Sequence, residues 1–200
     1  MSLLPTKKIP VVLDLTHYDV TAVSALCDYM LSEGRISPRI TTSILEDIIE
    51  LSHILQMNTI LRKSEQFLLQ SAEQSPPFLV HALKMLSDDR ELLESDIGRR
   101  IIDIAVRDYR LIFKTQSFND IPADIVIRIF DRCDLPVESE FELAQSAIAW
   151  VAARPERVRN AYRVFSCIRI TNLTAEQHND MINLINLMPY FTAAVSQLQC

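Results

Sequence analysis

Apolar residues recur at helical spacing through most of this chain. From residue 78 onward the pattern predicts one helix after another, and Thr174 with Gln177 forms a capping box that opens the last of them. The apolar faces of the successive helices are Phe78, Leu79, Ala82, Leu83 and Leu86; Ile97, Ile101, Ile104, Ala105 and Ile112; Val126, Ile129 and Phe130; Val158, Tyr162, Phe165 and Ile168; and Met181, Leu184, Ile185 and Met188. We therefore expect an all-α protein built from antiparallel helix pairs.

The first 70 residues add one short strand to this pattern. Residues 11–15 are apolar and β-branched, which is typical of a strand. A helix is predicted over residues 21–31, with Gly34 as its C-cap. Ser43 with Glu46 forms a capping box that predicts the start of the next helix.

The loop of residues 135–140 is the most informative part of the sequence. It reads Leu-Pro-Val-Glu-Ser-Glu, and Pro136 blocks continuation of the preceding helix. Ser139 with Glu142 forms a capping box that opens a new helix. The apolar stripe of that helix consists of Leu143, Ala144, Ala147, Ile148 and Val151.

The order of these features resembles the BACK domain. Leu135, Val137, Ser139 and Glu140 are followed by the helix, then by Trp150, and then by an apolar helix end that carries Arg169. The resemblance covers residues 71–175. A BACK domain usually follows a BTB/POZ domain in adaptor proteins of cullin-type ubiquitin ligases, so the resemblance implies a protein-interaction module.

The resemblance also implies a structural role for the charged groups of this loop. Arg169 is expected to anchor the loop through Glu140, as a structural ion pair rather than as part of an active site. Glu138 and Glu140 stand near a helix start, where carboxylates interact favourably with the helix dipole. Trp150 is expected to be a core residue.

Residues 1–70 resemble the second half of a BTB/POZ domain. The matching segments are Leu26-Cys27-Asp28-Tyr29-Met30-Leu31-Ser32 and Leu55-Gln56-Met57. Tyr29 fits the family pattern, whereas Leu31 stands where a second tyrosine is usual. The first half of a BTB domain has no counterpart in the sequence, which fits either a truncated family member or an incomplete gene model. Residues 176–200 are expected to form a helical C-terminal extension, and no Kelch repeats or MATH domain are found.

The family resemblance suggests where a protein partner would dock. In BTB–BACK proteins a cullin is held by the BTB domain and by the first helix pair of the BACK region, here about residues 71–95. The BTB contact often contains a hydrophobic residue, any residue and then glutamate, and Ile40-Thr41-Thr42 occupies that place without the glutamate. The predicted protein-binding residues are Ile40, Phe78, Leu79, Leu83 and Leu86.

Two functions stay open at this point. The first is an adaptor of a cullin-RING ubiquitin ligase, and the second is a helical scaffold that does not bind a cullin. Homodimerisation is not expected, because the helix that BTB domains use for it has no counterpart. Met181, Met188, Tyr190 and Phe191 could form a further docking face, although packing against the bundle is the favoured interpretation.

Charge and composition exclude other function classes. The formal net charge of −6 argues against a nucleic-acid partner, which requires a basic face. The sequence has only two glycines, Gly34 and Gly98, so a glycine-rich phosphate loop cannot be built. A small helical enzyme is therefore disfavoured, and no catalytic residue or cofactor is predicted.

The cysteines and histidines give no metal-site signal. Neither the four cysteines nor the four histidines form the close pairs that zinc requires, and no catalytic serine or cysteine order stands out. The sequence shows no signal-peptide pattern and no apolar run of membrane-spanning length. Scattered cysteines fit a reducing compartment, so we expect a cytoplasmic or nuclear protein.

Overall fold

The computed structural model of the chain describes residues 14–188, and every regular element in this range is helical. Eleven α-helices and three 3₁₀ helices follow one another, which confirms the all-α prediction. The α-helices are α1 (Val20–Leu31), α2 (Leu45–Ile54), α3 (Asn58–Gln74), α4 (Pro76–Asp88), α5 (Arg90–Glu94), α6 (Asp96–Arg107), α7 (Tyr109–Phe113), α8 (Ala123–Phe130), α9 (Glu140–Ala152), α10 (Ala161–Phe165) and α11 (Ala175–Asn186), and the 3₁₀ helices are Gln116–Asp120, Pro155–Asn160 and Ile170–Asn172. Of the predicted strand, residues 11–13 lie outside the described residues, and Asp14 and Leu15 belong to no regular element.

The chain divides into two compact units between Glu65 and Gln66, within α3. The predicted boundaries at residues 70 and 175 stay predictions. In the first unit, α1 packs against α2. The core of this unit consists of Ala22 and Leu26 from α1, Ile44, Ile48 and Leu51 from the α2 region, and Ile60 from α3.

Both α1 and α2 end in a left-handed turn that carries a side chain. Glu33 has φ of 53° and Gln56 has φ of 55°. After α1, the backbone N–H groups of Glu33 and Gly34 donate to the carbonyls of Met30 and Tyr29, which is the Schellman arrangement. Gly34 therefore follows the left-handed C′ position, which Glu33 occupies, and the predicted glycine cap is displaced by one residue.

The predicted capping box at Ser43 is wrong. Helix α2 begins at Leu45 with Ile44 as its N-cap, and no side chain caps it. The Ser43 hydroxyl lies 3.0 Å from the Thr41 hydroxyl instead. The Ser43 hydroxyl thus interacts within the turn that precedes α2 and does not cap the helix. Glu46 lies in the first turn of α2.

The second unit is arranged around α4 and α9. Helix α4 contacts α5, α6, α7, α8 and the 3₁₀ helix Gln116–Asp120, whereas α9 contacts α10, α11 and the 3₁₀ helix Pro155–Asn160. The elements that contact α4 carry an aromatic cluster in which Phe113 stands 4.1 Å from Tyr109, 3.9 Å from Phe118 and 5.3 Å from Phe130, measured between ring centroids. The buried aromatic and aliphatic surface of this cluster stabilises the second unit.

Two of the predicted helix starts are found in the structure. The Ser139 hydroxyl accepts from the backbone N–H of Glu142, and Thr174 with Gln177 forms the complete capping box of α11. The Glu142 carboxylate, however, accepts from the backbone N–H of Glu138 rather than from that of Ser139. The box at α9 is thus formed on one side only.

The single helix predicted after Arg154 is wrong in part. It opens as the 3₁₀ helix Pro155–Asn160 and continues as the short α10. A 3₁₀ helix turns about 120° per residue instead of about 100°, so six residues rotate the following face by about 120°. Ile168 is buried as expected, but Tyr162 is 85% exposed.

Candidate functional site

The 135–140 loop is fixed to its surroundings at several points. Leu135 is buried, and Pro136 and Glu138 are exposed. The Glu138 carboxylate forms an ion pair of 2.9 Å with Arg110, whose guanidinium lies 3.8 Å from Glu142. The loop is therefore held by a buried apolar side chain at its start and by a charged contact in its second half.

Glu140 connects this loop to the segment that carries Arg169. Its side chain is only 7% exposed, and one carboxylate oxygen accepts a hydrogen bond of 2.7 Å from the backbone N–H of Arg169. The Arg169 guanidinium is more distant, at 3.9 Å from the other oxygen, and is 45% exposed. The structure thus joins the two predicted residues, mainly through the main chain of Arg169.

Trp150 lies in the core, 1% exposed, beneath a buried arginine. Its indole N–H donates to the Ile121 carbonyl at 3.1 Å. The Arg157 guanidinium lies 3.9 Å from the centre of the Trp150 ring and donates to the carbonyls of Trp150 and Asn119. Burial lowers the pKa of Arg157. Sequence reasoning missed Arg157, because nothing in its spacing separates it from the exposed arginines nearby.

The predicted docking residues of α4 are mostly core residues. Leu79, Leu83 and Leu86 are 1% exposed or less, because they face the helices packed around α4. Phe78 is 39% exposed and follows two exposed prolines, Pro76 and Pro77. A partner that binds this part of α4 would contact these three residues and not the leucine stripe.

Ile40, the fifth predicted docking residue, belongs to the first unit. It is partly buried and packs against the core cluster formed by α1, α2 and Ile60. Thr41 and Thr42 beside it are also half-buried. Ile40 therefore contributes to packing within its own unit.

Charged residues of α6 and α8 line open cavities on the second unit. A cavity of about 420 Å³ lies between Arg107–Leu111 and the loop residues Pro136–Glu138. A second, of about 290 Å³, is lined by Leu93, Ile102, Arg99, Asp103, Arg128, Asp131 and Arg132. Arg107 donates two hydrogen bonds to Asp108 and so lowers the pKa of that carboxyl. These charges are used in ion pairs on the surface rather than in an acid–base pair.

Within residues 14–188, no three His, Cys, Asp or Glu side chains are grouped so that they could hold a metal ion. No helix in the same range is long and apolar enough to cross a membrane. Of the alternative docking face, Met181 and Met188 are buried, and Tyr190 and Phe191 lie outside the described residues.

A family model matches the part of the chain that contains α9. Residues 91–183 match the BACK family model. The family is described as "BTB And C-terminal Kelch", and the match runs from α5 into α11, over slightly less than half of the chain. The BACK match thus includes the 135–140 loop, Trp150, Arg157 and Arg169.

A curated relative points in the same direction. The chain is similar to Kelch-like protein 8 of Caenorhabditis elegans, with 23% identity over 159 residues. The similar region covers 79% of this chain but only 22% of the relative, so the chain spans about a fifth of the length of the protein it matches. Together with the BACK match, this similarity supports a relationship to BACK/Kelch-like proteins.

Proposed function

We propose that this chain is a protein-interaction adaptor that contributes to a cullin-RING ubiquitin ligase by docking. The observation that carries the proposal is the BACK match over residues 91–183. The matched helices include α9, and several of them pack against α4. The arginines that line the two cavities of this unit form ion pairs with neighbouring carboxylates, which suits binding better than acid–base chemistry. The protein would act in the cytoplasm or the nucleus, with a protein as its partner and without a cofactor.

The surface we assign to the cullin is the start of α4 with the exposed side of α5. Pro76, Pro77 and Phe78 form an apolar edge, and Glu91 and Glu94 are exposed further along. An apolar anchor with a charged rim is the usual composition of a transient protein interface. The buried leucine stripe packs α4 against its neighbouring helices and so fixes the position of this surface.

The first unit would contribute less than a complete BTB domain does. The position of the family glutamate is taken by Thr42, and loss of one charge-assisted contact weakens binding by about 1–3 kcal/mol. We therefore expect micromolar rather than nanomolar affinity for the cullin. Partial BTB structure in residues 1–70 is part of this proposal.

A non-cullin scaffold is the second candidate function. The observation that favours it is that Ile40 packs on the core of its own unit and is followed by threonines instead of a glutamate. A chain of this kind would keep the BACK helices as a rigid support and bind another protein through a different surface. The two candidates differ in one property, namely binding to a cullin.

Calorimetric titration with the N-terminal region of the cullin separates the two functions. The chain is first shown to be folded and monodisperse by light scattering. We expect a dissociation constant in the micromolar range, and about tenfold weaker binding for Phe78→Ser, because a partly exposed aromatic anchor is removed. Leu111→Ser is the matched control, since Leu111 is 61% exposed on α7. If no heat is detected at two temperatures, the scaffold function replaces the cullin adaptor.

A further inference from the structure

The segment between Arg154 and Arg169 differs in charge from the rest of the chain. It contains five arginines and one glutamate, Glu156, whereas the whole chain has a net charge of −6. Such a local excess of positive charge on an acidic protein favours contact with a negatively charged partner. Only an exposed arginine without an ion-pair partner in the protein can make that contact.

Three of the five arginines are used within the second unit. Arg154 forms an ion pair of 2.6 Å with Asp120, and Lys84 lies 3.8 Å from the same carboxylate. Arg157 is buried against Trp150 and donates to backbone carbonyls. Arg169 is bound to Glu140. Arg157 is therefore not available to a partner, and the guanidinium groups of Arg154 and Arg169 already face carboxylates of their own unit.

The other two, Arg159 and Arg163, point away from the core. Both are exposed, and neither guanidinium has a carboxylate partner within residues 14–188. Tyr162, which is 85% exposed, stands between them. In a helical segment, residues three and four apart are neighbours, so these three side chains share one face, opposite the buried Ala161 and Val164.

Neighbouring acids do not neutralise this face. Glu156 lies in the preceding 3₁₀ helix and forms no ion pair with either arginine in the part of the chain that the structure describes. Asp131, at the end of α8, raises the pKa of the Cys167 thiol, and Arg163 lowers it. No ion pair joins Asp131 to Arg163 in the described part of the chain. The two guanidinium groups are thus left to solvent.

We propose that Arg159, Tyr162 and Arg163, the Arg–Tyr–Arg surface, bind an acidic peptide segment of a partner protein. Each guanidinium can take a carboxylate with two parallel hydrogen bonds, and the tyrosine ring supplies apolar contact area at low entropic expense. Tyrosine and arginine are also the residue types enriched at binding hot spots. Nucleic acid is the weaker fit, because two phosphate contacts on a chain of charge −6 give little affinity.

This surface is separate from the start of α4, so it stands whether or not a cullin binds there. It lies on α10 and the 3₁₀ helix before it, and both α4 and α10 pack against α8. An adaptor with two exposed faces on one helical unit can hold two partners at once. Failure of the cullin titration would therefore leave the acidic-peptide proposal unchanged.

Fluorescence anisotropy with a labelled deca-glutamate peptide tests the proposal on the full chain. At low ionic strength, where charge contacts are little screened, we expect the wild-type chain to bind the peptide. Arg159→Ser with Arg163→Ser should weaken binding by roughly five- to tenfold, and Tyr162→Ala by roughly two- to fivefold. All three side chains are exposed, so the variants keep their fold, which melting curves verify.

The matched control removes the same charge elsewhere. Arg39→Ser with Arg62→Ser eliminates two exposed arginines of the first unit and should leave binding unchanged. Equal weakening by both double variants, or no binding by the wild-type chain, overturns the proposal. Displacement of the peptide by inorganic phosphate, at an ionic strength where chloride has no effect, also overturns it, because the surface would then be a phosphate site.

Discussion

The guanidinium of Arg157 lies 3.9 Å from the centre of the Trp150 ring and donates a hydrogen bond of 2.7 Å to the carbonyl oxygen of the same residue. A second nitrogen donates to the Asn119 carbonyl. One buried cation thus joins the end of α9 to the 3₁₀ helices on either side. Within residues 14–188 no carboxylate forms an ion pair with Arg157, so its contribution to stability comes mainly from carbonyl oxygens and a ring face.

Arg157→Ala should lower the free energy of unfolding by about 3 kcal/mol. The substitution leaves two carbonyls without a donor and an empty volume beside Trp150. Arg157→Lys should lower it by about 2 kcal/mol, because an ammonium group cannot stack on the ring and reach both carbonyls. Urea denaturation followed by tryptophan fluorescence measures both. Arg159→Ala is the exposed control, and an equal loss for Arg157→Ala and Arg159→Ala would contradict the role of Arg157.

Glu140→Ala should destabilise the chain far more than Arg169→Ala. The nearly buried carboxylate accepts the backbone N–H of Arg169 at 2.7 Å, and its removal leaves that N–H unpaired, with a loss of about 1–3 kcal/mol. The guanidinium is 3.9 Å away and 45% exposed, so its loss should stay within about 0.5 kcal/mol. Thermal melting of the two variants decides the point, and the reverse order would show that the side-chain ion pair dominates.

Gly98→Ala should destabilise the second unit although alanine is the better helix former. Gly98 lies in α6 where this helix approaches α5, and a Cβ there would come within 2.6 Å of the Leu93 carbonyl oxygen and nearer still to that of Leu92. The two helices would have to separate, with a loss of about 2 kcal/mol or more. Arg100→Ala, at an exposed position of the same helix, is the control. A Gly98→Ala melting temperature at or above that of the wild type would refute the close approach.

Stability should also fall at high pH because of Tyr109. Burial raises the pKa of this phenol from 10.0 to about 12, while its hydroxyl donates to Ser146 at 2.8 Å. The folded-state pKa is above the unfolded value, so the full contribution is present below pH 10 and is lost as the pH rises toward 12. The fall should reach roughly 2–3 kcal/mol.

Two tyrosine variants isolate this effect. Tyr109→Phe should remove this part of the loss of stability at high pH, because the folded state then has no buried phenol whose ionisation is disfavoured. Tyr162→Phe should keep it, since Tyr162 is 85% exposed and the substitution leaves the buried Tyr109 phenol in place. Urea denaturation between pH 8 and pH 12 gives the profile. Identical profiles for the two variants would exclude Tyr109 as the cause.

The hydrophobic pattern predicted helices well because burial follows the helical period. The stripe of α4 places Leu79, Leu83 and Leu86 in the core, and Thr174 begins α11 with its capping box. The same stripe also suggests a docking surface, but its three leucines are buried in the structure. An apolar side chain in a sequence does not say whether a neighbouring helix or a partner covers it.

Three features escaped prediction for separate physical reasons. Arg157 is buried although arginine is rarely buried, because its partners are backbone carbonyls that leave no mark in the sequence. Tyr162 faces solvent because the 3₁₀ helix before it rotates the apolar face. Glu33 takes a left-handed conformation at the C′ position, where glycine is the usual residue, and Gly34 follows it with a positive φ of 82°.

Hydrogen–deuterium exchange of the chain, with and without the N-terminal region of the cullin, tests the adaptor proposal most directly. We expect slower exchange in α4 and α5, where Phe78 and the exposed glutamates would lie beneath the partner, while α11 exchanges at its original rate. Because exchange is read peptide by peptide, the result locates the contact as well as detecting it. Unchanged exchange throughout residues 76–94 at saturating cullin would contradict the proposal.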